Sequence, residues 1–212
     1  MSKNKNNYSL YFVIITVITV ALILISNVSS IKLFSIGSII LPTSALLFPF
    51  TYIIGDIVAE VYGYKKARFV IILGFLCNAF MASFFLLSIK LPPAETWHLQ
   101  NEYATILGTT PRMFIASLSA FLFGSLSNAF VLNLIKKYTG EKLLFVRTIG
   151  STIVGELADT LIFVIIAFIG TIPSSAILTM ILCQYFWKVA YEVLATPITY
   201  KVINWYKKLE NY

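Results

Sequence analysis

Charged residues are scarce in this sequence. Only 12% of its 212 residues are Asp, Glu, Lys or Arg, whereas a typical soluble domain carries about a quarter. So few charges cannot cover a water-facing surface, which excludes an ordinary soluble domain. Apolar residues are abundant instead, at 58%, and the longest polar interval runs only from Lys90 to about Thr110. The composition therefore predicts an all-α membrane protein embedded in the lipid bilayer.

Cysteine and histidine are nearly absent as well. Cys77 and Cys183 lie singly inside apolar stretches, and the only histidine, His98, is expected in an exposed loop. These residues indicate neither a disulfide framework nor a metal site. The sequence also lacks His-Glu-x2-His, Gly-x-Ser-x-Gly and Walker motifs. We therefore expect no catalytic residues, no metal and no cofactor, and the protein is not predicted to be an enzyme.

Six apolar stretches are long enough to cross a hydrocarbon layer about 30 Å thick, which takes about 20 helical residues. They are residues 8–28, 44–61, 67–89, 113–135, 148–169 and 174–203. Because they occupy most of the chain, we predict one transmembrane transporter domain over residues 1–212. Between the third and fourth spans, Pro92 and Pro93 end the helix, and residues 97–107 mix apolar and polar side chains as an interfacial helix does.

Basic residues predict the orientation of these spans. Twelve bases fall on one side of the predicted membrane, and three fall on the other. The twelve are Lys3, Lys5, Lys65, Lys66, Arg68, Lys136, Lys137, Lys142, Arg147, Lys201, Lys207 and Lys208; the three are Lys32, Lys90 and Arg112. Since cytoplasmic loops carry an excess of bases, both termini are predicted to be cytoplasmic. The formal charge of +7 thus indicates orientation rather than a nucleic-acid partner.

The segment before the second span is apolar but interrupted. It runs from Ile31 to Pro42 and contains Gly37, and Pro49 follows a few residues later. These residues weaken or kink a helix. Irregular backbone at membrane depth is tolerated only where protein or a water-filled cavity surrounds it. We therefore expect this segment to form part of the wall of a binding site.

Six charged side chains lie inside the predicted spans, where each costs at least about 2.5–3.5 kcal/mol unless it faces a cavity or a partner. They are Asp56 and Glu60 in the second span, Glu156 and Asp159 in the fifth, and Lys188 and Glu192 in the sixth. The members of each pair are three or four residues apart and share a helical face. These faces can be hidden from lipid together only if the three spans surround a common polar centre, the predicted substrate site.

Several of these residues have a second interpretation. Lys188 and Glu192 can form a structural ion pair, and Glu60 can belong to an ion pair at the membrane edge. Gln184, one turn before Lys188, can bind a substrate amide edge or another helix. Nearby aromatic residues are candidates for stacking on a planar heterocycle: Phe48, Phe50, Tyr52, Tyr185, Trp187 and Tyr191. The surplus of acids favours a substrate that is cationic or rich in N–H donors, or a proton as coupling ion.

Two pairs of short segments, about one hundred residues apart, read alike. Residues 53–57 and 153–157 each place a carboxylate after a glycine, and Ile25-Ser26-Asn27 resembles Leu126-Ser127-Asn128. The first three spans would then correspond to the last three. Because three is odd, the second half would cross the membrane in the opposite sense, which predicts a 3+3 inverted repeat as found in secondary transporters. Chance similarity between short apolar segments is the alternative.

The chain resembles the queuosine precursor transporter family, six-helix bacterial membrane proteins also grouped with vitamin uptake transporters. The resemblance rests on Asp-x3-Glu-x-Tyr-Gly from Asp56 to Gly63 and on Glu-x2-Asp-Thr from Glu156 to Thr160. It continues through Arg112, Ser117, Ser127-Asn128, Arg147, Ser151-Thr152, Gln184, Lys188, Glu192 and Pro197. The combined pattern is fairly specific and covers nearly the whole chain.

This resemblance implies uptake of 7-deazaguanine bases, with a cyano or aminomethyl group, across the bacterial cytoplasmic membrane for salvage into the tRNA nucleoside queuosine. The predicted substrate site consists of the six intramembrane charges together with Gln184 and Asn128, and our hypothesis is that Asp56, Glu156 and Asp159 supply the acceptors for the base. The alternatives are a substrate-capture subunit of an energy-coupling-factor vitamin transporter, or an importer of another N–H-rich heterocycle. An oligomer is also possible, since Gly and Ser in the fourth and fifth spans permit close helix contacts.

Overall fold

Helices dominate the fold. The computed structural model describes residues 9–37, 39–139 and 144–209. Within these ranges there are seven α-helices and one two-stranded hairpin. The helices are α1 (Leu10–Ser29), α2 (Phe48–Tyr62), α3 (Tyr64–Lys90), α4 (Gln100–Leu107), α5 (Thr110–Thr139), α6 (Leu144–Phe168) and α7 (Ser174–Leu209); the strands are β1 (Leu33–Ile36) and β2 (Ile39–Pro42).

Five segments of the described chain are long and apolar enough to cross a membrane, and they contain α1, α3, α5, α6 and α7. The second predicted span, residues 44–61, corresponds to a 3₁₀ turn at Thr43–Leu46 followed by α2. With 15 residues, α2 is only about 22 Å long, shorter than the hydrocarbon layer. Five long apolar helices therefore support a multi-pass membrane protein.

The interrupted segment before α2 is a β-hairpin. Its strands pair antiparallel from Leu33 opposite Pro42 to Ile36 opposite Ile39. Gly37, in the turn, has φ of 61°, a conformation that glycine adopts without strain. The hairpin packs against α7, and Ala45 just beyond it accepts a hydrogen bond of 3.0 Å from Trp187 Nε1. Protein contacts thus satisfy part of this irregular backbone.

Two apolar clusters lie near opposite ends of α7. One joins α5 and α6 to Met180 and Ile181 of α7, and residues of the hairpin pack against it. The other joins α1, α2 and α3 to Ile203 and Tyr206. The Tyr206 hydroxyl also donates a 2.7 Å hydrogen bond to the Tyr11 carbonyl of α1. Between the clusters, α7 turns one face to the bundle, on which Gln184, Lys188, Ala195 and Thr199 are buried.

Large apolar side chains cover much of the outer surface. Examples are Leu76, Phe80 and Phe130, which are more than 60% exposed. In water such a surface would be costly, but against lipid tails it is favourable. The short helix α4 lies where an interfacial helix was predicted, with Gln100 donating to the Ile89 carbonyl at 3.0 Å. His98, just before α4, is exposed as expected.

Candidate substrate-binding site

A cavity of about 420 Å³ lies within the helix bundle. Its volume falls within the range of about 300–1,000 Å³ that is usual for small-molecule sites. Every helix except α4 contributes to its wall, as do Ser30 and Ser44, which flank the hairpin. The Ser30 hydroxyl donates to the Ser44 hydroxyl at 2.9 Å. The residues described between Ile31 and Pro42 do not line the cavity themselves, so the expectation that this segment forms part of the wall is wrong; it holds only for the flanking serines.

Lys188 is buried in the cavity wall and binds two carboxylates of α6. Its Nζ lies 3.3 Å from Oε2 of Glu156 and forms a hydrogen-bonded ion pair with Oδ2 of Asp159. The three side chains are 5%, 16% and 26% exposed, respectively. When all three are ionised, the cluster carries one net negative charge. It offers a ligand carboxylate acceptors and an ammonium donor at a single place.

The sequence suggested an ion pair between Lys188 and Glu192 within α7. In the structure, Lys188 instead pairs with Glu156 and Asp159. Glu156 and Asp159 are three residues apart, so both lie on the face of α6 next to Lys188. An ammonium group has three donors and is expensive to bury, so two carboxylates from a neighbouring helix stabilise it better than one from its own helix. Glu192 is half-buried and lies within electrostatic range of Glu156 and Asp56.

Close contact between α5 and α6 positions the cluster. A methyl group added at Gly155 would stand 2.8 Å from Cβ of Asn128, and one added at Gly124 would stand 2.9 Å from Cβ of Asp159. Only glycine allows this approach, in which Asp159 packs over Gly124 and Asn128 packs over Gly155. The repeat partner of Gly155 behaves differently, because a methyl group at Gly55 would meet nothing within 4 Å.

Two asparagines with unpartnered carbonyl oxygens also line the cavity. Asn27 of α1 is 4% exposed, and Asn128 of α5 is half-buried. Among the described residues, Oδ1 of each is buried without a hydrogen-bond donor. Asn128 was predicted as a site residue, but Asn27 was noted only as part of the repeat. Its position as a polar residue within an apolar span was the available signal.

Aromatic rings close another side of the cavity. Phe75 and Phe121 lie with ring centroids 5.4 Å apart, and Phe163 also lines the wall. The aromatic residues proposed from the sequence differ from these. Phe50, Tyr185, Trp187 and Tyr191 do not line the cavity, and the side chains of Phe48 and Tyr52 lie outside the described part of the structure. In an apolar helix, no sequence signal separates a cavity-facing phenylalanine from a lipid-facing one.

Asp56 and Glu60 were expected in the shared polar centre, but neither lies in the cavity wall. The helix α2 presents Ile54 and Gly55 to the cavity, and the next residue, Asp56, points to an exposed position beside α7. Glu60 lies in the last turn of α2 and pairs with Lys207 at 3.6 Å, with 63% of its side chain exposed. Glu60 therefore forms an ion pair at the end of α2, which was the alternative to a role in the substrate site.

Gln184 lies behind the cavity wall rather than in it. Its side chain is fully buried one turn before Lys188, and neither its Nε2 nor its Oε1 has a hydrogen-bond partner among the described residues. Thr160, on the facing helix α6, is also fully buried with an unpartnered hydroxyl. Of the eight predicted site residues, the cavity wall contains Asn128, Glu156, Asp159 and Lys188.

Known proteins match most of the helices that form this cavity. Residues 42–202 match the family described as "Putative vitamin uptake transporter". Over 147 residues the chain is 33% identical to a Bacillus subtilis (strain 168) protein named "Probable queuosine precursor transporter". The alignment covers 68% of this chain and 64% of that relative's length. No solved structure matches the chain.

Proposed function

This chain belongs to the vitamin uptake transporter family, and we propose that it imports 7-deazaguanine bases for salvage into queuosine. The observation that carries the proposal is the charged cluster of Lys188, Glu156 and Asp159 in the wall of a cavity inside a membrane helix bundle. Buried charges in membrane proteins mark substrate or ion pathways. The name of the Bacillus subtilis relative supports the substrate class.

The chemistry of the cavity matches that of a 7-deazaguanine. The ring N–H and amino groups of such a base are donors for the carboxylates of Glu156 and Asp159 and for the amide oxygen of Asn128. Its ring carbonyl oxygen is an acceptor for the Lys188 ammonium group. The flat ring packs against the phenylalanine side of the cavity. Gln184 lies behind the wall, and Glu192 lies within electrostatic range of Glu156.

The finer architecture is part of the proposal. We assign six crossings, in which α2 together with the hairpin and 3₁₀ turn makes the sixth, and both termini are cytoplasmic. The inverted repeat is supported by the cavity wall, which contains both glycines and both asparagines of the repeated segments. Transporter sites lie where such halves meet. The orientation follows from the excess of bases on one side of the membrane.

A salvage assay in bacteria tests this function. The host lacks 7-deazaguanine synthesis and its own importer, and queuosine is measured in its tRNA after the cyano or aminomethyl base is supplied. We expect queuosine only when this protein is expressed. Glu156→Gln and Asp159→Asn should abolish it, whereas Glu60→Gln, the same chemical change outside the cavity, should not.

The assay also separates the alternatives. A substrate-capture subunit would need a separate ATPase module, so uptake in a host without one contradicts that alternative. Absence of queuosine at a normal level of inserted protein would contradict the proposed substrate. Uptake of labelled guanine or vitamins in the same cells would then identify another heterocycle as the cargo.

A further inference from the structure

Asn27 has an unused acceptor whose orientation is fixed. Its Nδ2 donates a 3.0 Å hydrogen bond to the Ile23 carbonyl, one turn earlier in α1. Because a carbonyl accepts and cannot donate, this bond sets which end of the amide is the nitrogen. Oδ1 is then the remaining end, and it is buried without a donor among the described residues. An unpaired buried acceptor costs about 1–3 kcal/mol, so a partner in the working protein is expected.

The position of Asn27 points to a ligand as that partner. Asn27 lines the cavity, as does Asn128, whose Oδ1 is also unpartnered. The carboxylates differ from these amides because the Lys188 ammonium group lies beside them. It is hydrogen-bonded to Asp159 and lies 3.3 Å from Oε2 of Glu156, although that oxygen has no hydrogen bond among the described residues. The two amide oxygens have neither a hydrogen bond nor a neighbouring cation among the described residues. A ligand with N–H donors would satisfy the two amide oxygens without breaking the ion cluster.

We propose that Asn27 contacts the substrate directly and, together with Asn128, selects planar heterocycles that carry N–H donors on more than one edge. One asparagine comes from α1 and the other from α5, so a ligand bound by both must offer donors in two directions. This inference rests on the proposed function and adds a specificity-determining residue to its site. Being neutral, the amide oxygens accept N–H groups from an uncharged base as well as from a cationic one.

The test measures uptake kinetics for Asn27→Leu, which removes the acceptor with little change in volume. We expect KM for the 7-deazaguanine base to rise about 10- to 100-fold, as expected for one unsatisfied hydrogen bond in a closed site. The control is Asn78→Leu, the same change at a fully buried asparagine of α3 that does not line the cavity. Its KM should stay within about twofold of the unmodified protein.

A second measurement separates binding from a structural effect. Competition assays use substrate analogues in which one ring N–H at a time is replaced by C–H. If Asn27 accepts a particular N–H group, one replacement weakens binding to the unmodified protein but has no further effect on Asn27→Leu. Equal weakening of every analogue, or an unchanged KM, would overturn the inference. Failure of the unmodified protein to take up any 7-deazaguanine would instead refute the proposed function.

Discussion

Replacing Lys188 by methionine tests the buried ion cluster most directly. Methionine has a similar length and fits a helix, so the main change is the loss of the ammonium group. The variant leaves Glu156 and Asp159 without their cation in a wall where they are only 16% and 26% exposed. The net charge of the cluster changes from −1 to −2, because one positive charge is removed.

The expected loss of stability is about 3 kcal/mol. Removing one partner of a buried ion pair costs about 3–5 kcal/mol, because the remaining charge stays buried and unpaired. We expect the lower end of this range, since Asp159 keeps some exposure towards the cavity. The change corresponds to a factor of more than 100 in the ratio of folded to unfolded protein. Uptake should be lost as well.

Thermal unfolding of the purified protein in detergent measures this effect. Lys201→Met, on an exposed part of the same helix, is the matched control and should change stability by no more than about 0.5 kcal/mol. Combining Lys188→Met with Glu156→Gln and Asp159→Asn removes all three charges and should restore most of the stability, but not the uptake. The reasoning is refuted if Lys188→Met unfolds like the unmodified protein, or if the triple variant is no more stable than Lys188→Met.

Three further predictions follow from the packing and the proposed topology. Gly155→Ala should lower both stability and uptake, because the added methyl group would clash with Asn128, whereas Gly55→Ala should not destabilise the protein. Equal melting temperatures for these two variants would contradict the prediction. Arg112 donates to the Ile166 and Ile169 carbonyls at 2.6 and 2.5 Å, so Arg112→Ala should lower stability by about 2 kcal/mol in thermal unfolding. Arg112→Lys should recover only part of this loss, because lysine cannot form both bonds in the same geometry. Reporter tags at the two termini should both be found in the cytoplasm, whereas tags on opposite sides of the membrane would indicate an odd number of crossings.

The sequence predicts the positions of the long helices well, because a run of about 20 apolar residues is typical of a membrane-spanning helix. It fails where neighbouring elements decide the outcome. Gly37 and Pro42 predict that the apolar segment is not a continuous helix, as observed, but they do not predict the pairing of β1 with β2 that makes it a hairpin. Asp56 follows Gly55 directly, but a rotation of about 100° per residue takes it out of the cavity wall.

For the site, spacing identifies which charges share a face but not which helix they meet. Lys188 and Glu192 satisfy the spacing of an ion pair, yet the bundle places Lys188 against Glu156 and Asp159. The cavity-lining phenylalanines leave no signal, since apolar side chains face lipid and protein alike. Asn27 was detectable as a polar residue in an apolar helix, but its free acceptor becomes visible only once its bond to Ile23 is known.

Pro197 has a consequence for the backbone of α7. It lies inside the helix but has no N–H, so it cannot donate to the Val193 carbonyl four residues earlier. Ile203 and Tyr206, which follow it, are still buried against α1, α2 and α3. The helix can therefore bend at this turn while both of its ends stay packed in the two apolar clusters.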